Sequence, residues 1–282
     1  MKFQRYTDVD EYKKDVLDIL LEDEVVNNLP ISILIDGKKD NSSEWLLSTV
    51  TDERERIVLI SICTKPFNML LFEPVSDCRK EAVALLASEL RRTGFAPPGV
   101  LAVSGLAGCF ADAYCGSNGF KLHMSMVLMK LDNLADYNKA PGFARILTED
   151  DLSFVPAWEQ AFCVDCRIPV YTIAENKERI RTRLGKDTHF IWEDGRPVAQ
   201  AVYGRDSPNG AAISWVYTPP QYRGYGYATS VVAELSKSIF SRGKKFCCLY
   251  ADAGNPVSCG VYRRLGYYSV CNFDEIKLDT GF

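Results

Sequence analysis

Two glycines and an arginine stand where a predicted strand gives way to a long amphipathic helix. The segment 216–228 reads VYTPPQYRGYGYA, with Gly224 and Gly226 just ahead of the helix. Glycines let the backbone approach a ligand closely and present successive N–H groups to it. A helix N-terminus adds unpaired N–H groups and the positive end of the helix dipole. Together with the charge of Arg223, these groups predict a binding site for a diphosphate.

Other interpretations fit this segment less well. A dinucleotide-binding fingerprint needs a third glycine at a fixed spacing and an acidic residue at a strand end about twenty positions later, and both are missing. Tyrosine rings stack on the bases of single-stranded nucleic acid in other proteins, and this segment carries Tyr222, Tyr225 and Tyr227. No wider basic groove accompanies them, however, so this interpretation is not favoured. A plain tight turn is the remaining alternative.

The segment also carries a family resemblance. Gln221-x-x-Gly224-x-Gly226 resembles the acetyl-CoA signature of the GNAT superfamily of N-acetyltransferases, (Gln/Arg)-x-x-Gly-x-(Gly/Ala). Downstream, the stretch 255–267, NPVSCGVYRRLGY, resembles that family's second signature, in which an Asn closes a strand and a short helix carries a Tyr. The resemblance covers roughly residues 143 to 280 and implies an acetyl-CoA-dependent N-acetyltransferase that releases coenzyme A and uses no metal.

The resemblance also implies which residues hold acetyl-CoA. Backbone groups at the end of the strand before the loop would line the pantetheine arm, and an N–H there would polarise the thioester carbonyl. The backbone of the loop would hold the diphosphate, and polar groups of the second signature would lie near the sulfur. The implied coenzyme-binding residues are Val216, Tyr217, Thr218, Arg223, Gly224, Tyr225, Gly226, Tyr227, Ala228, Asn255 and Ser258.

Tyr262 matches the general acid of the family. A phenol with a pKa of about 10 stays protonated at neutral pH, and it can hydrogen-bond to or protonate a leaving thiolate whose pKa is about 8.5. Packing on its short helix is the alternative role for this side chain.

The sequence leaves the general base open. Some family members carry a Glu on the strand before the loop, where this chain has Ala212 and Ser214. Asp252, close to Asn255 at the end of the next predicted strand, is the nearest carboxylate in sequence and is our candidate. A water relay, or an amine that arrives already deprotonated, would make a side-chain base unnecessary.

Cysteines offer two further kinds of chemistry, and the sequence argues against both. Cys163 and Cys166 form an isolated Cys-x-x-Cys pair, whereas a zinc site needs about four ligands, and His123 and His189 are far away in sequence. Cys259 lies inside the second signature, but without a nearby histidine we expect direct attack by the amine instead of a covalent acetyl-enzyme. The sequence therefore predicts no metal site.

Composition limits the partners. With 33 Lys and Arg against 37 Asp and Glu, the net charge of −4 provides no global positive field for nucleic acid or anionic lipid. No stretch approaches the ~18 uninterrupted apolar residues of a membrane span, and the first residues lack the apolar region of a secretory signal. We expect a cytoplasmic protein with ten reduced cysteines and an amine substrate, and with neither a nucleic-acid nor a membrane partner. The oligomeric state stays open.

The elements that must position these residues repeat along the chain. A length of 282 residues fits two domains of about 140 each, and both halves predict helix, three strands, helix, strand, helix, strand. We expect residues 1–135 to form one domain, 136–143 a linker and 144–282 a second domain. The expected fold class is α/β, or α+β in some schemes, with two tandem GNAT-like domains, each a mixed, mostly antiparallel twisted sheet flanked by helices.

Hydrophobic periodicity and turn residues give the expected limits of these elements. In the second half the expected helices cover 148–162, 175–184, 227–241 and 256–265, and the expected strands cover 189–193, 198–203, 211–218, 246–251, 267–270 and 273–278. In the first half the expected helices cover 9–21, about 82–90 and 106–114, and the expected strands cover 45–50, 57–62, 69–72, 100–103 and 122–131.

The first half resembles a degenerate copy of the second. Where its phosphate loop should lie, residues 71–80 read LFEPVSDCRK, without glycine and with Glu73 and Asp77. Acidic side chains without close backbone N–H groups repel a diphosphate. We therefore expect this half to be structural or to shape the substrate site.

Three functional hypotheses remain. The first is an N-acetyltransferase that transfers the acetyl group of acetyl-CoA to a primary amine of an unidentified small molecule or peptide by direct attack. The second is a non-catalytic acetyl-CoA-binding module or sensor, favoured by the missing base and the degenerate first half. The third is a protein-binding domain on a decayed scaffold, which predicts no coenzyme binding.

Overall fold

The computed structural model describes residues 1–36 and 44–279, in which helices and strands alternate. The strands are β1 (Lys2–Tyr6), β2 (Leu46–Thr51), β3 (Ile57–Cys63), β4 (Met69–Phe72), β5 (Gly99–Val103), β6 (Phe120–Leu131), β7 (Phe143–Ile146), β8 (His189–Glu193), β9 (Pro197–Asp206), β10 (Gly210–Tyr217), β11 (Phe246–Asp252) and β12 (Tyr268–Leu278). The α-helices are α1 (Val9–Leu21), α2 (Asn28–Asp36), α3 (Arg79–Thr93), α4 (Ser104–Cys115), α5 (Val155–Asp165), α6 (Ile173–Arg181), α7 (Tyr227–Ser241) and α8 (Pro256–Arg264).

The chain forms two compact units. Residues 1–128 and the segment that begins at Val270 make the first unit, and Met129–Ser269 make the second. The predicted limits 1–135, 136–143 and 144–282 differ from these units in two places. Residues 129–143 fall in the second unit, and most of β12 falls in the first because residues 273–277 of β12 pair with β5. Whether the two predicted domains fold separately is a different question, and for it the predicted limits stay a prediction.

The first unit contains a sheet in the order β1-β2-β3-β4-β5-β12. Its neighbouring strands are antiparallel except β4 and β5, which run parallel with Met69 opposite Val100. Apolar faces of α3 and α4 pack on one side, and those of α1 and α2 pack on the other. Because helices cover both faces, β2 and β3 are buried along nearly their whole length, including the polar residues Ser48, Thr49 and Ser61.

The second unit contains the strand order β7-β8-β9-β10-β11. The first four strands are antiparallel, and β11 runs parallel to β10. Helix α7 packs against β8, β9 and β10 with an apolar face that includes Val231, Leu235 and Ile239. Helices α5 and α6 pack on each other, and α5 also contacts β10. The expected fold class, a mixed and mostly antiparallel sheet flanked by helices in each half, is confirmed.

Most predicted elements are present, and the departures have local causes. The predicted helix 148–162 is wrong at its start, because a 3-10 turn at Glu149–Ser153 precedes α5 and Pro156 lies in the first turn of that helix. The predicted strands 267–270 and 273–278 form one continuous strand, β12. The sequence prediction missed β1, β7 and α2. Strand β7 is a four-residue edge strand directly after Pro141 and Gly142, which suggested a linker.

None of the helices in residues 1–36 and 44–279 has both the length and the hydropathy that a bilayer span requires.

Candidate active site

A cleft opens in the second unit where β10 and β11 separate. The parallel pairing of the two strands covers only residues 210–212 of β10 and 246–248 of β11. Beyond Ala212 and Cys248, β10 continues to Tyr217 and β11 to Asp252. Beyond these residues β10 and β11 do not bond to each other, which allows main-chain groups of β10 to bond to a ligand that enters between the two strands.

A β-bulge lies on the β10 side of this cleft. Ser214 pairs with Val202 and Tyr217 pairs with Gln200, so Trp215 and Val216 together oppose the single residue Ala201. Trp215 has a φ of 53°, in the left-handed region that bulky residues rarely adopt. A bulge of this kind removes peptide groups from the ladder and turns them toward other partners. Of the three residues predicted to face the pantetheine arm, Val216 lies in the bulge, and Tyr217 and Thr218 follow it.

The Gly-rich loop joins this strand to α7, as predicted. After Thr218 the chain makes a 3-10 turn at Pro220–Tyr222, and Gly224 and Gly226 then take φ values of 87° and 83°. A Cβ at Gly224 would meet no atom within 4 Å, so the space beside the loop is open. Gly226 is the N-cap of α7 and has no side chain to bond the first N–H groups, which include those of Tyr227 and Ala228. The open space and these N–H groups fit a diphosphate.

Arg223 has partners within the chain. Its Nε donates to the carbonyl oxygen of Thr218 at 2.9 Å, and its terminal nitrogen donates to Oδ2 of Asp165 at 2.6 Å. Half of each charged side chain is exposed. A phosphate group that binds Arg223 would therefore compete with the Asp165 carboxylate, which comes from the end of α5.

The two tyrosines of the loop have different surroundings. Tyr225 is 66% exposed and stacks on the ring of Tyr227 at 5.8 Å between centroids. The hydroxyl of Tyr227 donates to Oδ2 of Asp194 at 2.6 Å, and this bond raises the pKa of Tyr227 to about 12. The start of α7 is thereby tied to the turn between β8 and β9, while Tyr225 remains available to a ligand.

The second signature forms a self-bonded turn before α8. The Asn255 side chain caps α8, because its Oδ1 accepts from the backbone N–H of Ser258 at 3.0 Å. Oδ1 of Asp252 accepts from the N–H of Gly254 at 2.8 Å. Asn255 and Asp252 therefore lie at the end of β11 beside the cleft, as predicted, but each already has a partner in the turn.

Tyr262 lies on α8 and is only 7% exposed. Burial raises its pKa to about 12, opposed by a hydrogen bond with the Ser258 hydroxyl. Its ring meets the ring of Tyr267 edge-on at 5.8 Å between centroids. A phenol with this pKa is protonated at neutral pH, so it can serve a thiolate as a hydrogen-bond donor.

Sequence reasoning did not place the end of α5 at this site. Besides Asp165, the neighbouring Cys166 is close enough to Tyr262 for the ionised forms of the two side chains to repel each other. Burial raises the pKa of the Cys166 thiol to about 11, so this thiol is protonated and a poor nucleophile. Cys166 and Tyr262 are 96 positions apart, and no local sequence pattern signals this proximity.

The remaining cysteines fit packing roles. Cys163 is buried, and burial raises the pKa of its thiol. Cys259 is buried with its Sγ 3.7 Å from the carbonyl oxygen of Asp252. Within residues 1–36 and 44–279, no three or more His, Cys, Asp or Glu side chains are grouped to hold a metal ion.

Comparisons with known proteins agree with this geometry. Residues 195–274 match the model of the family described as FR47-like protein. No curated protein matches the sequence. Among solved structures, an acetyltransferase of the GNAT family from Colwellia psychrerythraea shares 13% identity and a TM-score of 0.64, with 99% of each chain covered. A GCN5-related N-acetyltransferase from Sphaerobacter thermophilus shares 14% identity and a TM-score of 0.67, with 98% of this chain and 96% of the other covered.

The tandem arrangement also has a structural counterpart. A tandem GNAT protein from the clavulanic acid biosynthesis pathway shares 13% identity and a TM-score of 0.60, with 100% of this chain and 99% of the other covered. At these identities the likeness concerns the fold. The chain therefore has the tandem GNAT fold over its whole length, and the expected resemblance to the GNAT superfamily is confirmed at the level of the fold.

Proposed function

We propose that the chain is an acetyl-CoA-dependent N-acetyltransferase, an acyltransferase of the EC 2.3.1 type, with one active site in its second unit. One observation carries this proposal. The cleft between β10 and β11, with the bulge at Trp215 and Val216, opens next to a helix start whose N–H groups lack a side-chain cap. A thioester coenzyme needs both parts, an anion site for its diphosphate and a slot with free peptide groups for its arm.

The residues divide the binding task along the coenzyme. Backbone N–H groups from Arg223 to Ala228 bind the diphosphate, and peptide groups of Val216, Tyr217 and Thr218 bind the arm. Tyr225, exposed at the rim, packs against the ligand, while the fixed hydroxyl of Tyr227 leaves only its main chain for binding. Asn255 and Ser258 contribute through the turn that they stabilise, since Asn255 accepts from the backbone of Ser258.

Direct transfer fits the site. The amine nitrogen forms a bond to the acetyl carbon while the carbon–sulfur bond breaks, and a bulge N–H stabilises the oxygen where negative charge develops. Tyr262 donates a hydrogen bond to the departing thiolate, which finally takes up a proton. The amine must lose one proton, and Asp252 at the cleft is the side chain that we propose receives it, directly or through water.

The partners that we propose follow from the same chemistry. The acceptor is a small-molecule or peptide amine, and we propose neither nucleic acid nor membrane as a partner. All ten cysteines are free thiols, which fits the reducing conditions of the cytoplasm.

Two measurements test the proposal. Calorimetric titration of coenzyme A and of acetyl-CoA into the full chain should give saturable binding with one site per chain. Thiol release from acetyl-CoA, followed across a panel of primary amines, should then exceed the rate without amine. Failure of both coenzymes to bind would reject the proposed function.

A non-catalytic acetyl-CoA sensor is the second candidate. The observation that favours it is that the side chains of Asp252, the candidate base, and of Asn255 are already bonded within their turn. Saturable binding, no thiol release with any amine, and no effect of Tyr262→Phe would favour the sensor. A protein-binding scaffold without coenzyme affinity would fail at the first titration.

A further inference from the structure

Trp215 occupies an unfavourable backbone conformation in the middle of the cleft wall. Its φ of 53° makes it one of three non-glycine residues with positive φ among those that the structure describes. For a bulky side chain this conformation persists only where the surroundings enforce it. The groups around Trp215 therefore indicate what holds the bulge in place.

Three side chains surround the indole of Trp215. The ring of Phe162 lies 5.0 Å away between centroids, and the guanidinium carbons of Arg179 and Arg183 lie 5.5 and 5.7 Å from the indole centroid. We refer to Phe162, Arg179 and Arg183 as the Trp215 clamp. Planar guanidinium groups and an aromatic ring both stack on an indole, so these contacts fix the orientation of the side chain.

The arginines of the clamp are themselves held in place. Arg183 forms an ion pair with Glu159, whose side chain is fully buried, and burial raises the pKa of this carboxyl. Arg179 also stacks on Tyr171, with 4.3 Å between its guanidinium carbon and the ring centroid. Replacing a buried ion pair by apolar residues is often neutral for stability, which favours a role for Glu159 in fixing the position of Arg183.

A separate group holds the main chain of Trp215. Nε2 of the fully buried Gln200 donates to the Trp215 carbonyl oxygen at 3.4 Å. Oε1 of Gln200 lies 3.4 Å from Nε2 of His189, and burial lowers the pKa of His189 to about 3, so the imidazole is neutral. A trans peptide unit directs its C=O and its N–H to opposite sides. With the Trp215 carbonyl bonded to Gln200, the N–H of Val216 is directed away from Gln200.

We propose that Gln200 and the Trp215 clamp are positioning residues that direct the N–H of Val216 into the cleft, where it donates to the thioester carbonyl oxygen. The inference rests on the proposed function and adds the residues that set this geometry. None of them needs to touch the coenzyme, because Gln200, Arg179 and Arg183 act through Trp215.

The experiment compares Trp215→Gly with Trp215→Phe in the full chain. Glycine adopts a positive φ without steric strain, so Trp215→Gly removes the contacts with the clamp without straining the backbone. Phenylalanine keeps a ring for the clamp. We expect Trp215→Gly to lower kcat by about 100-fold, as loss of one oxyanion donor does, with the Kd for coenzyme A within about 3-fold of wild type. Trp215→Phe should restore most of kcat.

A binding measurement covers the case in which turnover is absent. Acetyl-CoA and S-ethyl-CoA have similar size, but the thioether lacks the carbonyl oxygen. Wild type should bind acetyl-CoA about 5- to 10-fold more tightly, as one hydrogen bond allows, and Trp215→Gly should lose this preference. Gln200→Leu is the second variant if Trp215→Gly does not fold, with the same expectation. Arg181→Lys is the control, because Arg181 lies on the same helix and pairs with the exposed Glu178.

Two results would overturn the inference. One concerns the preference for acetyl-CoA over S-ethyl-CoA: wild type does not show it, or both Trp215→Gly and Gln200→Leu retain it. The other is a parallel loss of kcat and coenzyme A affinity, which a general disruption of the unit would produce. Failure of wild type to bind coenzyme A rejects the proposed function, and the inference with it.

Discussion

The starts of α3 and α7 differ in the residues that precede them, although both helices connect two parallel strands. Before α7 stand two glycines with positive φ, and the space beside Gly224 is open. Before α3 stands Glu73, whose carboxylate accepts from Nε of Arg79 at 2.8 Å in a two-contact ion pair. Arg79 is the first residue of α3, so an acidic side chain and its own partner lie where a diphosphate would need free N–H groups.

The comparison shows that the two units share a scaffold and differ in the residues that precede the connecting helix. Both units keep the parallel strand pair, β4 with β5 and β10 with β11, and both keep the connecting helix. In the first unit, the ion pair between Glu73 and Arg79 occupies the place that the Gly-rich loop has in the second unit. The sequence-based expectation that Glu73 repels phosphate stays a prediction, with the added detail that Arg79 neutralises this carboxylate.

The largest expected effect comes from closing the loop in the second unit. Gly224→Val should weaken coenzyme A binding by at least about 100-fold, because a branched side chain at a φ of 87° distorts a loop that supplies several bonds to a charged group. Gly94→Val is the matched control, since Gly94 has a φ of 68°, open space for a Cβ, and a place in the first unit. Equal losses of affinity in both variants, measured by calorimetry, would contradict a phosphate site at Gly224.

A smaller effect should come from the phenol beside the cleft. Tyr262→Phe should lower kcat by about 100-fold and leave the Kd for acetyl-CoA within about 2-fold, because the hydroxyl acts on the leaving thiolate. Tyr267→Phe is the control, since its buried hydroxyl lies 3.2 Å from the Ser236 hydroxyl. Thiol-release kinetics check the prediction, and full turnover by Tyr262→Phe would remove Tyr262 from the mechanism.

Removing the ion-pair partner of Arg223 should modestly increase the affinity for coenzyme A. Asp165→Asn removes the partner of Arg223, so the guanidinium becomes available to a phosphate. Because the pair is half exposed and such pairs contribute up to about 1 kcal/mol, coenzyme A should bind up to about 5-fold more tightly at low salt. Glu178→Gln, which breaks another exposed pair, should leave the Kd unchanged. Weaker binding by Asp165→Asn would mean that Asp165 supports the loop instead of competing for Arg223.

The smallest effect is expected in the first unit. Glu73→Gln should change neither the affinity nor the stoichiometry of coenzyme A binding and should lower stability by no more than about 1 kcal/mol. One site per chain, before and after the substitution, would sharpen the comparison. A stoichiometry of two in wild type would break it, because the first unit would then bind a coenzyme despite its ion pair.

The sequence predicted features that depend on local patterns. Helix α7 occurs with the predicted limits, because its apolar spacing and the glycines before it are both local. The loop follows β10 and the second signature follows β11, and these two strands are parallel neighbours in the sheet. In contrast, the pair of Arg223 with Asp165 spans 58 positions, and the bond from Gln200 to Trp215 depends on the register of two strands. Neither a propensity nor a motif encodes such contacts.

The positive φ at Trp215 could not be read from the sequence either. Trp favours extended strands, and the segment 211–218, AAISWVYT, is rich in the β-branched and aromatic residues of an ordinary strand. The bulge arises because groups on α5, α6 and β9 hold this residue, so its conformation is a tertiary effect. The carboxylate of Asp252 is a related case, since a bond within its own turn, from the N–H of Gly254, fixes its position.

The place of β12 in the chain has a consequence for synthesis. Most of this strand follows the second unit in the polypeptide, yet residues 273–277 pair with β5 of the first unit. During translation the ribosome therefore releases β5 long before its partner strand exists. The edge of β5 lacks this partner while more than a hundred further residues are synthesised, and an unpaired edge is prone to aggregation. The unit that begins the chain is in this way the last to be completed.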